Sequence, residues 1–239
     1  MSDLLEQAIA AHGGWARWEQ LKKLSVHAAI GGGLWGAKGK PGLLDDVRIA
    51  VDVRRQHVEC SPFGAAGRHS VYEPDRVAVE TDHGQVLESR RDPRAAFAGH
   101  RRETPWDNLH LVYFSGYALW SYLTAPFLFR MPGFHSEEIE PWNEGGEEWR
   151  RLKVRFPFSI ASHSAEQVFY FDRHGLLRRQ DYTAEVLGGL PGTHYTCEPK
   201  EFGGLVFPTR RRAYARGPDN RPVTERIAVA IDIHHIEVL

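Results

Sequence analysis

The chain has 239 residues, 42% hydrophobic and 26% charged, enough to enclose one large core or a core with a cavity. A formal net charge of -1 argues against general attraction to nucleic acid or anionic lipid. The 2 cysteines, Cys60 and Cys197, are too few and too distant for a disulfide framework or a zinc motif.

The opening MSDLLEQAIAAHGG starts with acids and has no long apolar run, so no export leader is read from it and a cytoplasmic location is expected. Residues 3–22 place Leu4, Leu5, Ala8, Ile9, Trp15, Trp18 and Leu21 at helical spacing, with Ser2 or Asp3 as the cap and a break at Gly13 and Gly14. After them the period changes to two. Segments 24–30, 45–53, 56–61, 68–73, 75–81 and 85–90 are short, β-branched and bounded by Gly, Pro or Asp, which predicts six antiparallel strands. GGGLWG (31–36) matches the glycine spacing of a dinucleotide loop, but GAKGKPG and another strand follow instead of the helix that loop requires. No cofactor is expected.

A helical insertion is predicted over about 92–128. Thr104, Pro105 and Asp107 read as its cap, first helical residue and dipole-facing acid. From His110 to Phe129 there is no Asp, Glu, Lys or Arg. Leu109, Val112, Tyr113, Gly116, Tyr117, Trp120 and Leu123 form one stripe, while Leu111, Phe114, Leu119 and Tyr122 cover the other side. A helix that is apolar all round is a buried one. One stretch diluted by Ser115, Gly116, Ser121, Thr124 and Pro126 does not argue for membrane insertion. Seven strands follow: 135–142, 148–156, 166–172, 176–186, 193–198, 208–216 and 223–238. A sheet of about a dozen strands must curl, split or close. The expected fold is therefore mainly β (α+β), a single domain over 1–239: a large curved antiparallel sheet, or incomplete β-barrel, wrapped around a central apolar helix, with an N-terminal helix.

The order of these elements, with the hairpin YFDRHGLLRRQDYTAE and the later EFGGLVFPTRRRAY, resembles the LolA-type (lipoprotein-carrier-like) half-barrel. The string PWDNLHLVYFSGYALWSYLTAPF also resembles a set of uncharacterised bacterial cytosolic proteins. The first resemblance implies a concave face lidded by helices, with a cavity that holds acyl chains.

Candidate site residues follow from that cavity. His110, one turn into the helix, reads either as a core histidine or as an acid or base near pH 7. Tyr113, Phe114, Tyr117, Trp120 and Tyr122 read as packing or as ligand contacts, and buried Tyr hydroxyls need partners that a pocket can supply. Tyr170 and Tyr182, on strands 166–172 and 176–186, are further ligand candidates. On 176–186, alternation puts Arg179, Asp181, Thr183 and Glu185 opposite Gln180, Tyr182 and Ala184. If Glu185 pairs with His194, the first face is either a solvated convex side or an acid-base site using Asp181 and His194. Asp232 and His234 share a face as an ion pair or as an oriented base. His234 and His235 are expected on opposite faces, and no metal-ligand spacing occurs among the 13 histidines. In the run Arg210, Arg211, Arg212 the middle residue faces away from its neighbours, so no nucleic-acid stripe forms, whereas one inward Arg can anchor an anionic head. The expected function is binding of a hydrophobic or aromatic small molecule. The alternative is a cofactor-independent acid-base enzyme acting through His110, Tyr117, Asp181 or His194 in the same cavity.

Overall fold

The computed structural model describes residues 3–239, so Ser2, one of the two expected caps of the first helix, lies outside the described residues. Two short helices, α1 (Asp3–Ala11) and α2 (Trp15–Trp18), are separated by Gly13 and Gly14, both at positive φ. A Cβ on Gly13 would lie 2.3 Å from the Gly204 carbonyl oxygen, which is why glycine occupies this break. Then come β1 (Lys23–Gly31), α3 (Gly33–Ala37), β2 (Val47–Asp52), β3 (His57–Ser61), β4 (Arg68–Glu73), β5 (Arg76–Thr81) and β6 (Val86–Arg91). The long helix α4 (Asn108–Thr124) divides these from β7 (His135–Glu144), β8 (Glu147–Arg155), β9 (Glu166–Phe171), β10 (Leu177–Ala184), β11 (Leu190–Phe202), β12 (Leu205–Arg216), β13 (Pro222–Val223) and β14 (Val229–Val238).

All strands belong to one antiparallel sheet in the order β6-β5-β4-β3-β2-β1-β14-β12-β11-β10-β9-β8-β7, with β13 appended to β12. The first six strands form one meander and β7–β12 the other. β14 joins them, pairing with β1 on one side and β12 on the other. The sheet stays open, with β6 and β7 as its edges, and curves around α4. Alternation sets the inner face: Leu24, Val26, Ala28 and Ile30 on β1 and Val47, Ile49 and Val51 on β2 are buried, with more exposed residues between them. Among the described residues no helix is long and apolar enough to cross a membrane.

Several local expectations need correction. Thr104 is not the cap of α4: its hydroxyl accepts from the Arg101 N–H, and the chain reaches the helix only after the Trp106 N–H has bonded the Lys38 carbonyl. Asp107 is the N-cap, accepting from the His110 N–H at 2.9 Å, and His110 completes a capping box. The glycine segment after β1 does contain a helix, the five-residue α3, which carries Trp35 against Phe114. Lys38 follows it, buried, donating to the carbonyls of Arg101, Arg102 and Thr104. The sheet around this segment is antiparallel, so the βαβ context of a dinucleotide site does not arise. β11 and β12 extend beyond the predicted 193–198 and 208–216 because Gly203 and Gly204, at φ 56° and 84°, join them in a tight turn. In β14 the register slips between His27 and Ala28 of its partner, so His234 and His235 are both exposed between buried Ile233 and Ile236. They therefore do not face opposite ways.

α4 runs closest to β3–β6, and a glycine permits it: a Cβ on Gly116 would lie 2.2 Å from Cγ of Tyr72 on β4. Neither the helix backbone nor the buried Tyr72 ring can yield that distance cheaply. Gly116→Ala is expected to lower stability by about 1–3 kcal/mol through overpacking, measured from urea midpoints. Gly36→Ala, at a helical glycine whose added Cβ would meet nothing within 4 Å, should leave the midpoint essentially unchanged.

Candidate functional site

On its other side α4 stands off the sheet. A void of about 10 Å³ lies there, walled by Val26 and Ala28 of β1, Ile49 of β2, Ile231 and Ile233 of β14, Leu119 and Leu123 of α4, and the side chains of Tyr122 and Arg211. That space suits about one water molecule.

Arg211 on β12 points inward because its neighbours Arg210 and Arg212 point out to Glu198 and Asp232. It is 2% exposed. One guanidinium nitrogen, Nη2, donates to the Tyr122 carbonyl at 2.7 Å, filling one of the acceptors left open in the last turn of α4. Nε and Nη1 have no acceptor, and burial pushes the group down to about 10, still cationic at neutral pH.

Next to it, His194 of β11 is fully buried with no hydrogen-bond partner on either ring nitrogen, its ring edge-on to Tyr122 at 4.5 Å. Burial and the charge of Arg211 hold it well below the ordinary histidine range. A third group, His163 on the 156–165 connection, joins two tyrosines of α4. Its Nδ1 is 3.1 Å from the Tyr117 hydroxyl and its Nε2 is 2.7 Å from that of Tyr122, while its ring stacks on Tyr182 at 3.9 Å. Burial lowers His163 to about 3, so it is neutral. A neutral imidazole has one donor and one acceptor, so one tyrosine must donate to it and the other accept from it. Burial raises the phenols too, Tyr182 to about 12 and Tyr117 and Tyr122 well above 10, which keeps the whole chain of groups uncharged.

The sequence candidates are thus divided. Tyr117, Tyr122, Tyr182 and His194 converge under the second half of α4. Phe114 packs its ring against His163 at 5.4 Å. Tyr113 sits towards the helix start, 3.4 Å from Arg94 Nη1, and the Trp120 indole donates to the Asp52 carbonyl. His110 is at the far end from Arg211. Its Nδ1 lies 3.3 Å from the Asp107 backbone nitrogen and 2.7 Å from the Asp107 carboxylate, and its Nε2 is 3.2 Å from the Ala96 carbonyl oxygen.

Asp181 does not meet His194. The register pairs Gln180 with His194 and Asp181 with Thr193, not Glu185 with His194, so the two side chains leave the sheet on opposite faces. Asp181 instead holds Arg179 through two 2.8 Å bonds and accepts from Tyr170 and Thr193. This outer cluster, which also contains Tyr170, is buried rather than solvated because Glu144 and the Asn220 carbonyl close over Arg179. Asp232 is taken by Arg212, and His234 packs edge-on to His27. Sequence reasoning missed His163: one histidine in ASHSAEQ, outside any periodic element, carries no signal.

The buried histidines make stability depend on pH with a definite sign. In the unfolded chain they take up protons below about pH 6.5, whereas folded His12 waits until about 4 and His163 until about 3. The unfolded state binds more protons across that window, so stability falls as pH drops from 6.5 towards 4. His57, raised by Glu59 and Glu73, acts in the opposite direction, so the contrast between variants is the clean measurement. His194→Phe removes two unpartnered nitrogens and is expected to add about 1 kcal/mol at pH 7 and flatten the slope between pH 6.5 and 4.5, read from denaturant midpoints.

No family model matches the chain, and no curated protein matches it by sequence. Solved structures match it in fold. A LolA superfamily protein from Nitrosomonas europaea aligns over 99% of this chain and 92% of its own, at TM-score 0.55 and 10% identity. A DUF1329 family protein from Desulfovibrio piger aligns over 98% and 91%, at 0.56 and 11%. A candidate outer-membrane lipoprotein-sorting domain from Vibrio parahaemolyticus aligns over 99% and 91%, at 0.55 and 10%. With the open antiparallel sheet curved around α4, these matches establish that the chain has the LolA-like fold.

Proposed function

We propose that the chain binds a hydrophobic small molecule between α4 and the inner face of its sheet, as a binding or carrier protein. The observation that carries this reading is the seam along β1, β14 and β12, where an apolar wall and an unfilled space meet the incompletely partnered Arg211, with the unpartnered His194 packed behind the Tyr122 ring of that lining. Buried polar groups are nearly always satisfied, so open ones beside a void suit a partner that arrives from outside. Similarity to structures described as a LolA superfamily protein and a candidate lipoprotein-sorting domain supports the carrier reading. Because the void is small, admission of a guest requires α4 to draw away from β12 and β14. The tight contact at Gly116 would then serve as the hinge side. Tyr117, Tyr122, Tyr182 and Phe114 would line the enlarged space and could face an aromatic guest.

A second reading rests on the Tyr117–His163–Tyr122 chain, which can pass a proton without a cofactor if the guest has an acidic C–H or O–H beside it. In that case Tyr117→Phe would leave binding of the retained molecule within about threefold and stop its conversion.

Native mass spectrometry of freshly purified protein, followed by thermal shift across acyl and aromatic compounds, tests the first reading. A retained mass is expected, or a midpoint rise of about 5 °C for a ligand at 100 times its Kd. No added mass and no shift with any compound would overturn it.

A further inference from the structure

We infer that the guest is a single-chain amphiphile with a compact anionic head, and that Arg211 is the group that holds the head. This deepens the proposed function and rests on it.

Two arginines are buried to 2% exposure or less, Arg179 and Arg211, and they are opposites. Arg179, on the outer face, has its charge answered by Asp181 and Glu144 and its guanidinium framed by the rings of Trp142, Tyr170 and Tyr195. Arg211, on the inner face, has no carboxylate ion pair among the described residues. Its contacts are the Tyr122 carbonyl, which engages only Nη2, and the Tyr122 ring at 5.2 Å. A guanidinium stays protonated in proteins, so this is a cation out of water without a counter-charge.

The surroundings say what the missing partner looks like. The open N–H groups on Nε and Nη1 call for an anion's oxygens, and guanidinium is the side chain best matched to carboxylate and phosphate. His194, neutral and unpartnered nearby, can donate a further hydrogen bond to such a head without adding charge. Apart from the Tyr122 side chain, the rest of the void is walled by aliphatic side chains of β1, β2, β14 and α4, among them Val26, Ile49, Leu119, Leu123 and Ile231. One cation at the edge of an apolar seam fits one charge at the end of one apolar chain. A neutral guest would leave the charge unanswered, and a polar or multiply charged one would put its remaining groups against aliphatic carbon.

The inference is tested by equilibrium titration at pH 8 of the full chain with dodecanoate and, separately, with dodecanol, which matches the chain but has no charge. Wild type is expected to bind dodecanoate at least tenfold more tightly. Arg211→Leu should bind both equally, at about the wild-type affinity for dodecanol. Arg211→Gln, which keeps a donor for the Tyr122 carbonyl, serves if the leucine variant does not fold, and should lose the same preference. Equal affinity of wild type for both compounds would overturn the anionic head and leave the hydrophobic-binding reading standing. A preference for dodecanoate that survives in either folded variant would overturn the assignment to Arg211. Failure of wild type to bind either compound would overturn this inference; rejection of the wider acyl and aromatic set as well would take the binding reading with it.

Discussion

A helix of 17 residues with no charged side chain cannot present any face to water without exposing apolar surface, and the rest of the molecule is arranged around that constraint. The sheet must be wide enough to surround α4 and curved enough to follow it. The N-terminal helices close one end, with Arg17 bonding the Gly203 carbonyl and the His12 carbonyl accepting from Val206. The segment before α4 is held by Lys38 on its three carbonyls, so the start of the helix is fixed by a buried cation just as its end is capped by Arg211. Because α4 links the two meanders in sequence and β14 links them in space, the helix and the sheet close over one another from both directions.

The two faces of the second meander handle polar groups differently, and the contrast bears on function. Outside, Arg179, Asp181, Tyr170, Thr193 and Glu144 satisfy one another in a network that buries its charges in pairs. Inside, the Tyr117–His163–Tyr122 chain is satisfied, but Arg211 and His194 are not. A network complete within the protein can be explained by structure alone. An incomplete one beside a void has room for a further participant.

Much of the fold was legible because it is written in short-range patterns. Alternation located every strand except the two-residue β13, and the unbroken apolar run located α4. The inward turn of Arg211 between two outward arginines also follows from a period of two. What escaped depends on contacts distant in sequence. The cap at Asp107 rather than Thr104 is decided by Lys38, far up the chain, which bonds the Thr104 carbonyl and accepts from the Trp106 N–H. The separation of His194 from Asp181 is decided by a register that no spacing within 176–198 specifies. His163 enters the interior because its connection is latched, with the Gln56 side chain exchanging two 2.8 Å hydrogen bonds with the backbone of Ala161. The paired outward histidines of β14 require a bulge that alternation alone cannot express.

A sheet that never closes leaves two strands with unpaired backbone, and this chain guards both borders against adding a stranger. β7 carries Glu137, Glu138 and Glu140, has in Pro141 a residue with no N–H to offer, and kinks between Ile139 and Trp142. β6 carries Glu88, Arg90 and Arg91, and its neighbour β5 slips register at Glu80. On β7 Glu137 and Glu138 are held by Lys153 and Arg150 of β8, so this rim presents paired charges and not an apolar strip to a second molecule. The open border is thereby kept from becoming a template for fibres.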